Sequence, residues 1–404
     1  VYTDTMFGYA DLNITDADVE VTVTLESSKF FWTLNGGELR IFGEGKMPSY
    51  YYLSDMAPWS QYSIKKAVIE DGITCIGSYA FYDNKNLESV DISDTVAEIG
   101  WNAFDGCDSL ENIKLSDTVT SINYSSFKNC RKLKRVIIPN GVTRIYGDAF
   151  SGCSNLESVV IPDTVIEISD RAFYECSSLQ TIILPDKLTY MGSAAFSSCS
   201  RLESIVIPDT ITSINSSVFL DCSSLQSIKI PDTVRSIGSA AFYGCRSLES
   251  ITIPNAVKNI GSRAFLGCNN LKSIVIPDGV SKIESDTFRG CDNLESVTLA
   301  DTIASIGSGA FMGCSNLESI ILPDGVTSIG SNIFDGCINL KNIVLPNAIT
   351  MIEDYSFEYC SSLESITLPE ELKTICDYAF RGCSSLKSII LPDGVTTIEG
   401  NVFR

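Results

Sequence analysis

The chain has 404 residues, of which 44% are hydrophobic and 9% aromatic, with no histidine, 15 cysteines and a formal charge of −21. Its apolar content excludes a disordered chain, and the missing histidine excludes Ser-His-Asp and Cys-His catalysis and any histidine-held metal. The excess of 50 acidic over 29 basic residues argues against nucleic acid or an anionic membrane surface as a partner, because phosphate is neutralised by cations.

No apolar run reaches the roughly 18 residues that cross a bilayer, so no transmembrane segment is expected, and no signal peptide is visible. The sequence starts at Val1 rather than Met and reads as a processed or trimmed product whose targeting information is missing. Residues 1–66 have no internal period. Within them Val19-Glu20-Val21-Thr22-Val23-Thr24-Leu25 alternates like a half-buried strand, and Trp32-Thr33-Leu34 with Leu39-Arg40-Ile41 forms a hairpin over Asn35-Gly36-Gly37. This β-rich region is expected to cap the first of the repeated units that begin at residue 67, since a stack of coils exposes its apolar end unless something covers it.

From residue 67 to 404 the chain repeats. Phenylalanine recurs every 23 residues from Phe81 to Phe403, 15 times without insertion or deletion, and 13 cysteines from Cys107 to Cys383 and 14 leucines from Leu87 to Leu386 keep the same period. In one unit, Leu156, Val159 and Ile161 end in the alternation of a strand with one buried face. Pro162-Asp163 comes next as a turn, because proline cannot extend a ladder and aspartate bonds nearby backbone. Val165 with Ile168, and Phe173, Cys176 and Leu179, stand three apart, which fits a return built of turns or short 3₁₀ pieces. Strand, turn and return make one coil of a right-handed repeat solenoid with a single parallel sheet of short strands, about 14 to 15 coils in all. Each coil adds one phenylalanine and several aliphatic residues to a core that no coil could bury alone.

The segment Leu317-Glu318-Ser319-Ile320-Ile321-Leu322-Pro323 resembles the leucine-rich-repeat core, and the whole unit I-G-x-x-A-F-x-x-C-x-x-L-x-x-I-x-L-P-D resembles the BspA-like class of bacterial leucine-rich repeats. The run from Trp32 to Met47 with Pro58-Trp59 resembles the leader that precedes such repeats. One departure is the general family's asparagine ladder, replaced here by Thr95, Thr118, Gly141 and Thr164. The resemblance implies a secreted or surface-attached bacterial or protist protein that adheres to host or microbial partners, and it brings no catalytic residue. Arg404 stops one residue after a ladder phenylalanine, so continuation of the chain, or a partner over that end, is expected.

The ladder cysteines are expected to be buried thiols. In-register neighbours would keep their Cβ atoms about 4.8 Å apart, wider than a disulfide takes, and a row of parallel thiols without a CxxC pair is no zinc site. Cys75 and Cys376 alone lie off the ladder. The position after the turn proline is acidic in 11 of 14 coils, beginning Asp94 and Asp117; it reads as a repeated Asx-type turn rather than a calcium row. No cofactor is expected.

Two features could form a partner-binding surface. On the outer side of the strands one column runs Val160, Ile183, Val206, Lys229, Thr252, Val275, Thr298, Ile321, Val344, Thr367 and Ile390, with serine two residues earlier. β-branched residues suit any sheet, yet solvent-facing Val and Ile in a row also mark binding surfaces. Separately, Lys128, Arg131, Lys132, Lys134, Arg135 and Arg144 put six cations within 17 residues of an acidic chain, either a solvated patch or a dock for an acidic partner or polysaccharide. The expected function is therefore non-enzymatic adhesion or recognition of a protein or glycan at a cell surface. A structural spacer is the first alternative and a carboxylate-pair hydrolase the second.

Overall fold

The computed structural model describes residues 18–25, 28–51 and 55–404; residues 1–17 of the expected cap lie outside them. The chain is a parallel β-solenoid of about 14 turns of about 23 residues, with no helix among the described residues. It divides into two compact units, Val1–Pro162 and Asp163–Arg404, a division that falls inside the repeats.

The first unit opens with three antiparallel strands, β1 (Asp18–Leu25), β2 (Ser28–Asn35) and β3 (Glu38–Lys46). Trp32 lies opposite Ile41 and Leu34 opposite Leu39. The connection is the two-residue turn Gly36-Gly37, with φ of +56° and +85°, the left-handed conformation that glycine adopts without a steric cost and that matches strand twist. β3 is also the template for the coils. Its first half pairs in parallel with β4 (Lys66–Ile69), and its last residues, across a register shift at Gly45/Lys46, pair with β5 (Ile73–Ile76).

Each coil then carries two parallel ladders instead of one. The first continues from β4 through Ser89–Ile92, Asn112–Ile113, Arg135–Ile137 and Ser158–Val160. The second holds two-residue strands such as Ser121–Ile122 paired with Arg144–Ile145. In the second unit Thr181–Ile182 through Ser296–Thr298 form a six-stranded stretch of the first ladder, and Ser213–Ile214, Ser236–Ile237 and Asn259–Ile260 a stretch of the second.

Between the second ladder and the phenylalanine the return is neither strand nor 3₁₀. Alternate N–H groups bond within the coil and to the next coil. Ala241, Tyr243 and Cys245 donate to the carbonyls three residues back, at Gly238, Ala240 and Phe242, while Ala240, Phe242 and Gly244 donate to Ser262, Ala264 and Leu266. A 3₁₀ run would send every N–H back along its own coil. Left-handed residues at the second position before and after the phenylalanine, Ala240 at φ +54° and Gly244 at +70°, reverse the chain so that half the donors reach outward. Backbone polar groups of this edge are thereby satisfied without a helix.

The core is one repeated section. In a single coil Phe219, Cys222, Leu225, Ile228, Ile230, Val234, Ile237 and Ala241 are all buried. Phenylalanine rings of neighbouring coils stack nearly parallel: Phe81, Phe104, Phe127 and Phe150 in the first unit at 5.1 to 5.4 Å, Phe173 to Phe403 in the second, offset contacts favoured by the ring quadrupole. At the positions where the general leucine-rich repeat has asparagine, the threonines that are present bond to backbone. The Thr95, Thr118, Thr210 and Thr233 hydroxyls donate to the carbonyls of Ile73, Val96, Leu188 and Ile211, one coil back, at 2.5 to 2.8 Å.

Candidate binding face

The outer side of the first ladder is the surface on which side chains line up in columns. In parallel register Ser204, Ser227, Ser250, Ser273 and Ser296 succeed one another, all exposed. Two residues on, the same strands give Val206, Lys229 and Thr252, then Val275 and Thr298, while Val344 pairs with Thr367. The aliphatic members stand out into solvent: Ile183, Val206, Ile321 and Ile390 are 75 to 86% exposed, and Val160, Val275 and Val344 are also exposed. Strand alternation explains this, since the residues on either side, Ile205 and Ile207 for example, are buried. Beside the hydroxyl column runs a charged one, in which the Lys272 ammonium lies 3.4 Å from Glu249 and Lys341 2.8 Å from Glu318. The face thus presents an aliphatic stripe next to hydroxyls and a column of charges of both signs on a backbone pinned by the ladder. Such a surface can bury apolar area and accept or donate hydrogen bonds at its rim.

Ile137 heads this column in the first unit, in register with Val160 and 62% exposed. Read from sequence, the column starts one coil later, at Val160, although Ile137 stands four residues after Leu133 just as Val160 does after Leu156, which is signal enough to place it there.

The six cations do not form one patch. Lys134 and Arg135 lie exposed on the first ladder, in Arg135's case between Asn112 and Ser158, whereas Arg144 belongs to the second ladder beside Ser121. Lys128 sits in the phenylalanine turn with its ammonium 3.4 Å from Asp148, and Arg131 lies 3.5 Å from Asp108; Lys132 is exposed next to it.

The ladder sulfurs are thiols that donate to the phenylalanine carbonyl one coil back, from Cys107 to Phe81 at 3.1 Å to Cys383 to Phe357 at 3.0 Å. Burial pushes the thiols from Cys199 to Cys383 up, Cys199 itself to about 12, so these are protonated, apolar core groups. The acidic post-proline positions are exposed turn residues. Among the described residues, the donor atoms that converge as a set of three are those of Asp354, Cys376 and Glu399, within 4.8 Å of one another. Burial, and then Glu399 and Glu353, raise the Cys376 thiol to about 11.

Comparison with known proteins agrees with this anatomy. The BspA type leucine rich repeat region matches in six copies over residues 57–177, 144–272, 191–316 and 281–404. A leucine-rich repeat protein from Bacteroides ovatus is 28% identical, covering 96% of this chain and 99% of its own, with a TM-score of 0.66. A leucine rich cell surface protein from Faecalibacterium prausnitzii is 27% identical over 86% and 94%, at a TM-score of 0.49. The pneumococcal vaccine antigen PcpA, 18% identical over 94% and 93% at 0.50, shares the fold. No curated protein sequence matches the chain. With a 23-residue period, a phenylalanine and cysteine ladder in each coil and family matches that run from residue 57 to 404, the chain belongs to the BspA-type leucine-rich-repeat family.

Proposed function

We propose that this is a non-enzymatic recognition protein, secreted or held at a cell surface, that binds a protein or glycan of a host or microbial surface through the outer side of its first ladder. In this reading residues 1–66 act as the cap and residues 67–404 as the display scaffold. The observation that carries it is the exposed aliphatic column of Ile183, Val206, Ile321 and Ile390, which water would be relieved of by a partner. Membership of a leucine-rich-repeat family, a scaffold for protein binding, and likeness to the Bacteroides ovatus protein support the same reading. No helix among the described residues is long and apolar enough to cross a membrane.

The test is a binding screen of the whole chain against extracellular-matrix proteins and immobilised glycans, repeated with Val206→Glu/Val275→Glu/Ile321→Glu. These positions face solvent, so folding should be kept. Binding of at least one ligand that falls about tenfold or more in the variant supports the reading. Ligands bound equally by both proteins, or none at all, would favour the spacer, whose single requirement is the constant coil length.

A further inference from the structure

The repeat supplies its own control for what the fold requires. Three residues before each phenylalanine, on the surface beside the second ladder, seven consecutive coils carry serine, from Ser193 through Ser216, Ser239, Ser262, Ser285 and Ser308 to Ser331. In the first unit the same position holds Trp101 and Tyr124, and Tyr146 stands one place earlier in the next coil. Trp101 is 57% and Tyr124 50% exposed, with Tyr146 half-buried. The three rings form a chain, Trp101 to Tyr124 at 6.3 Å edge-to-face and Tyr124 to Tyr146 at 5.0 Å tilted by 41°. Since a serine satisfies the coil, burial does not account for these aromatics.

We propose that Trp101, Tyr124 and Tyr146 form a glycan-binding ridge, separate from the aliphatic face, which stacks the C–H faces of pyranose rings. Three observations select that ligand. The rings touch one another, so no ammonium group fits between them as in an aromatic cage, and their outward faces are what remains to bind. The residues flanking the rings in the chain include the amides Asn102 and Asn123 and the hydroxyl of Ser125, rather than the aliphatic side chains that would seat a protein's apolar anchor. Stacked nucleobases would bring phosphates to a chain of charge −21. The ridge is also rigid: the Trp101 carbonyl accepts from Tyr79 N–H, the Tyr124 carbonyl from Asn102 N–H, and Tyr146 N–H donates to Ile122, so little conformational entropy is lost on binding.

The molecule carries its own reporter. Of its three tryptophans, Trp32 and Trp59 are buried and Trp101 is exposed, so iodide quenching reads Trp101. Chitohexaose, cellohexaose, a sialylated oligosaccharide and an oligouronate are titrated into the whole chain, with choline and a lysine-rich peptide as cationic probes. Expected is saturable protection of Trp101 by at least one sugar. Tyr124→Ser, which keeps the reporter, should weaken it about tenfold, and Trp101→Ser/Tyr124→Ser should abolish retention on the immobilised sugar while leaving the melting temperature within a few degrees. A preference for the acidic sugars would show that charge contributes as well as stacking; a preference for the neutral ones would leave stacking as its basis. The proposal is overturned if no sugar protects Trp101, if Tyr124→Ser leaves protection unchanged, or if only the cationic probes protect. Val206→Glu/Val275→Glu/Ile321→Glu should not alter this binding, which separates its failure from that of the aliphatic face.

Discussion

The aromatic cluster under the first coil and the ladder in the later coils solve the same packing problem by opposite means. In coils 196 to 311 each phenylalanine meets a copy of itself, stacked within 16° of parallel at 5.5 to 6.0 Å. Below Phe81 there is no copy to meet. Trp59 takes that place, 5.9 Å from Phe81 and tilted by 36°, with its indole N–H donating to the Ala80 carbonyl at 2.8 Å. Phe30, Trp32 and Tyr50 close around it, edge-on at 5.7 to 6.0 Å. Repetition obtains complementarity by copying one contact, whereas the cluster needs a separate contact for every ring. Phe81 is fully buried as a result.

Alkaline unfolding should separate the two regions most sharply. The ladder thiols from Cys199 to Cys383 are held protonated by burial, Cys199 to about 12 against an ordinary value of 9.0. Above pH 9 the unfolded chain releases protons that the folded chain keeps, so the stabilisation is complete below pH 9 and is lost as pH rises toward 12. Each thiol contributes about 1.4 kcal/mol per pH unit in that window, and many titrate together. The melting temperature, measured anaerobically, should fall steeply above pH 9. The region of the aromatic cluster holds one buried thiol, Cys75, which burial raises to about 11, and Asn84 stands where Cys107 stands one coil on. Hydrogen exchange should therefore show the coils opening before residues 28–81; a flat profile to pH 11 would contradict the buried thiols.

Trp59→Ala tests whether the cluster belongs to the same core. It should cost about 3–5 kcal/mol in urea unfolding, as should Phe242→Ala inside the ladder. A Trp59→Ala penalty below about 1 kcal/mol would make the antiparallel strands an appendage rather than a cap.

The same division governs how much of the molecule was legible in the sequence. A period of 23 residues exposes every ladder, because a residue type copied in register announces its environment: Phe219, Cys222, Leu225 and Ile228 are buried as their periodicity required. The β1 strand and the Gly36-Gly37 turn were legible from alternation and dipeptide alone. The second ladder was not, since two residues such as Ser236–Ile237 are too short for any period to show. Nor was the alternating return, because φ at Ala240 leaves no mark on side-chain type. The aliphatic column was visible by spacing; the Trp101–Tyr124–Tyr146 ridge was not, because attention to what repeats hides what departs from it. The six cations looked like one patch because neighbours in sequence need not be neighbours around a coil.

Two smaller effects sharpen the contrast. Thr233→Ala removes the hydroxyl that donates to Ile211 at 2.7 Å and should cost about 0.5–1.5 kcal/mol. Ala240→Gly should stabilise by about 0.5–1 kcal/mol, since alanine is held at φ +54°, a region that disfavours a Cβ. Differential scanning calorimetry resolves both, and an equal sign for the two would sink the hydrogen-bond and backbone accounts together.

The smallest predicted change lies in the cluster. Among the described residues, the buried Trp32 indole nitrogen has no hydrogen-bond acceptor, although the ring itself is buried against Trp59 and Tyr62. A buried donor left unpaired is a penalty the fold carries. Trp32→Phe removes that donor and some contact area at once, so the two effects oppose and the net change in stability should fall within about 1 kcal/mol of zero. Trp59→Phe removes a donor that is satisfied by Ala80, and both its effects point the same way, toward loss. Urea midpoints for the pair should therefore differ with Trp32→Phe the more stable. The reverse order would show that ring volume, not hydrogen bonding, decides which tryptophan holds the cluster against Phe81.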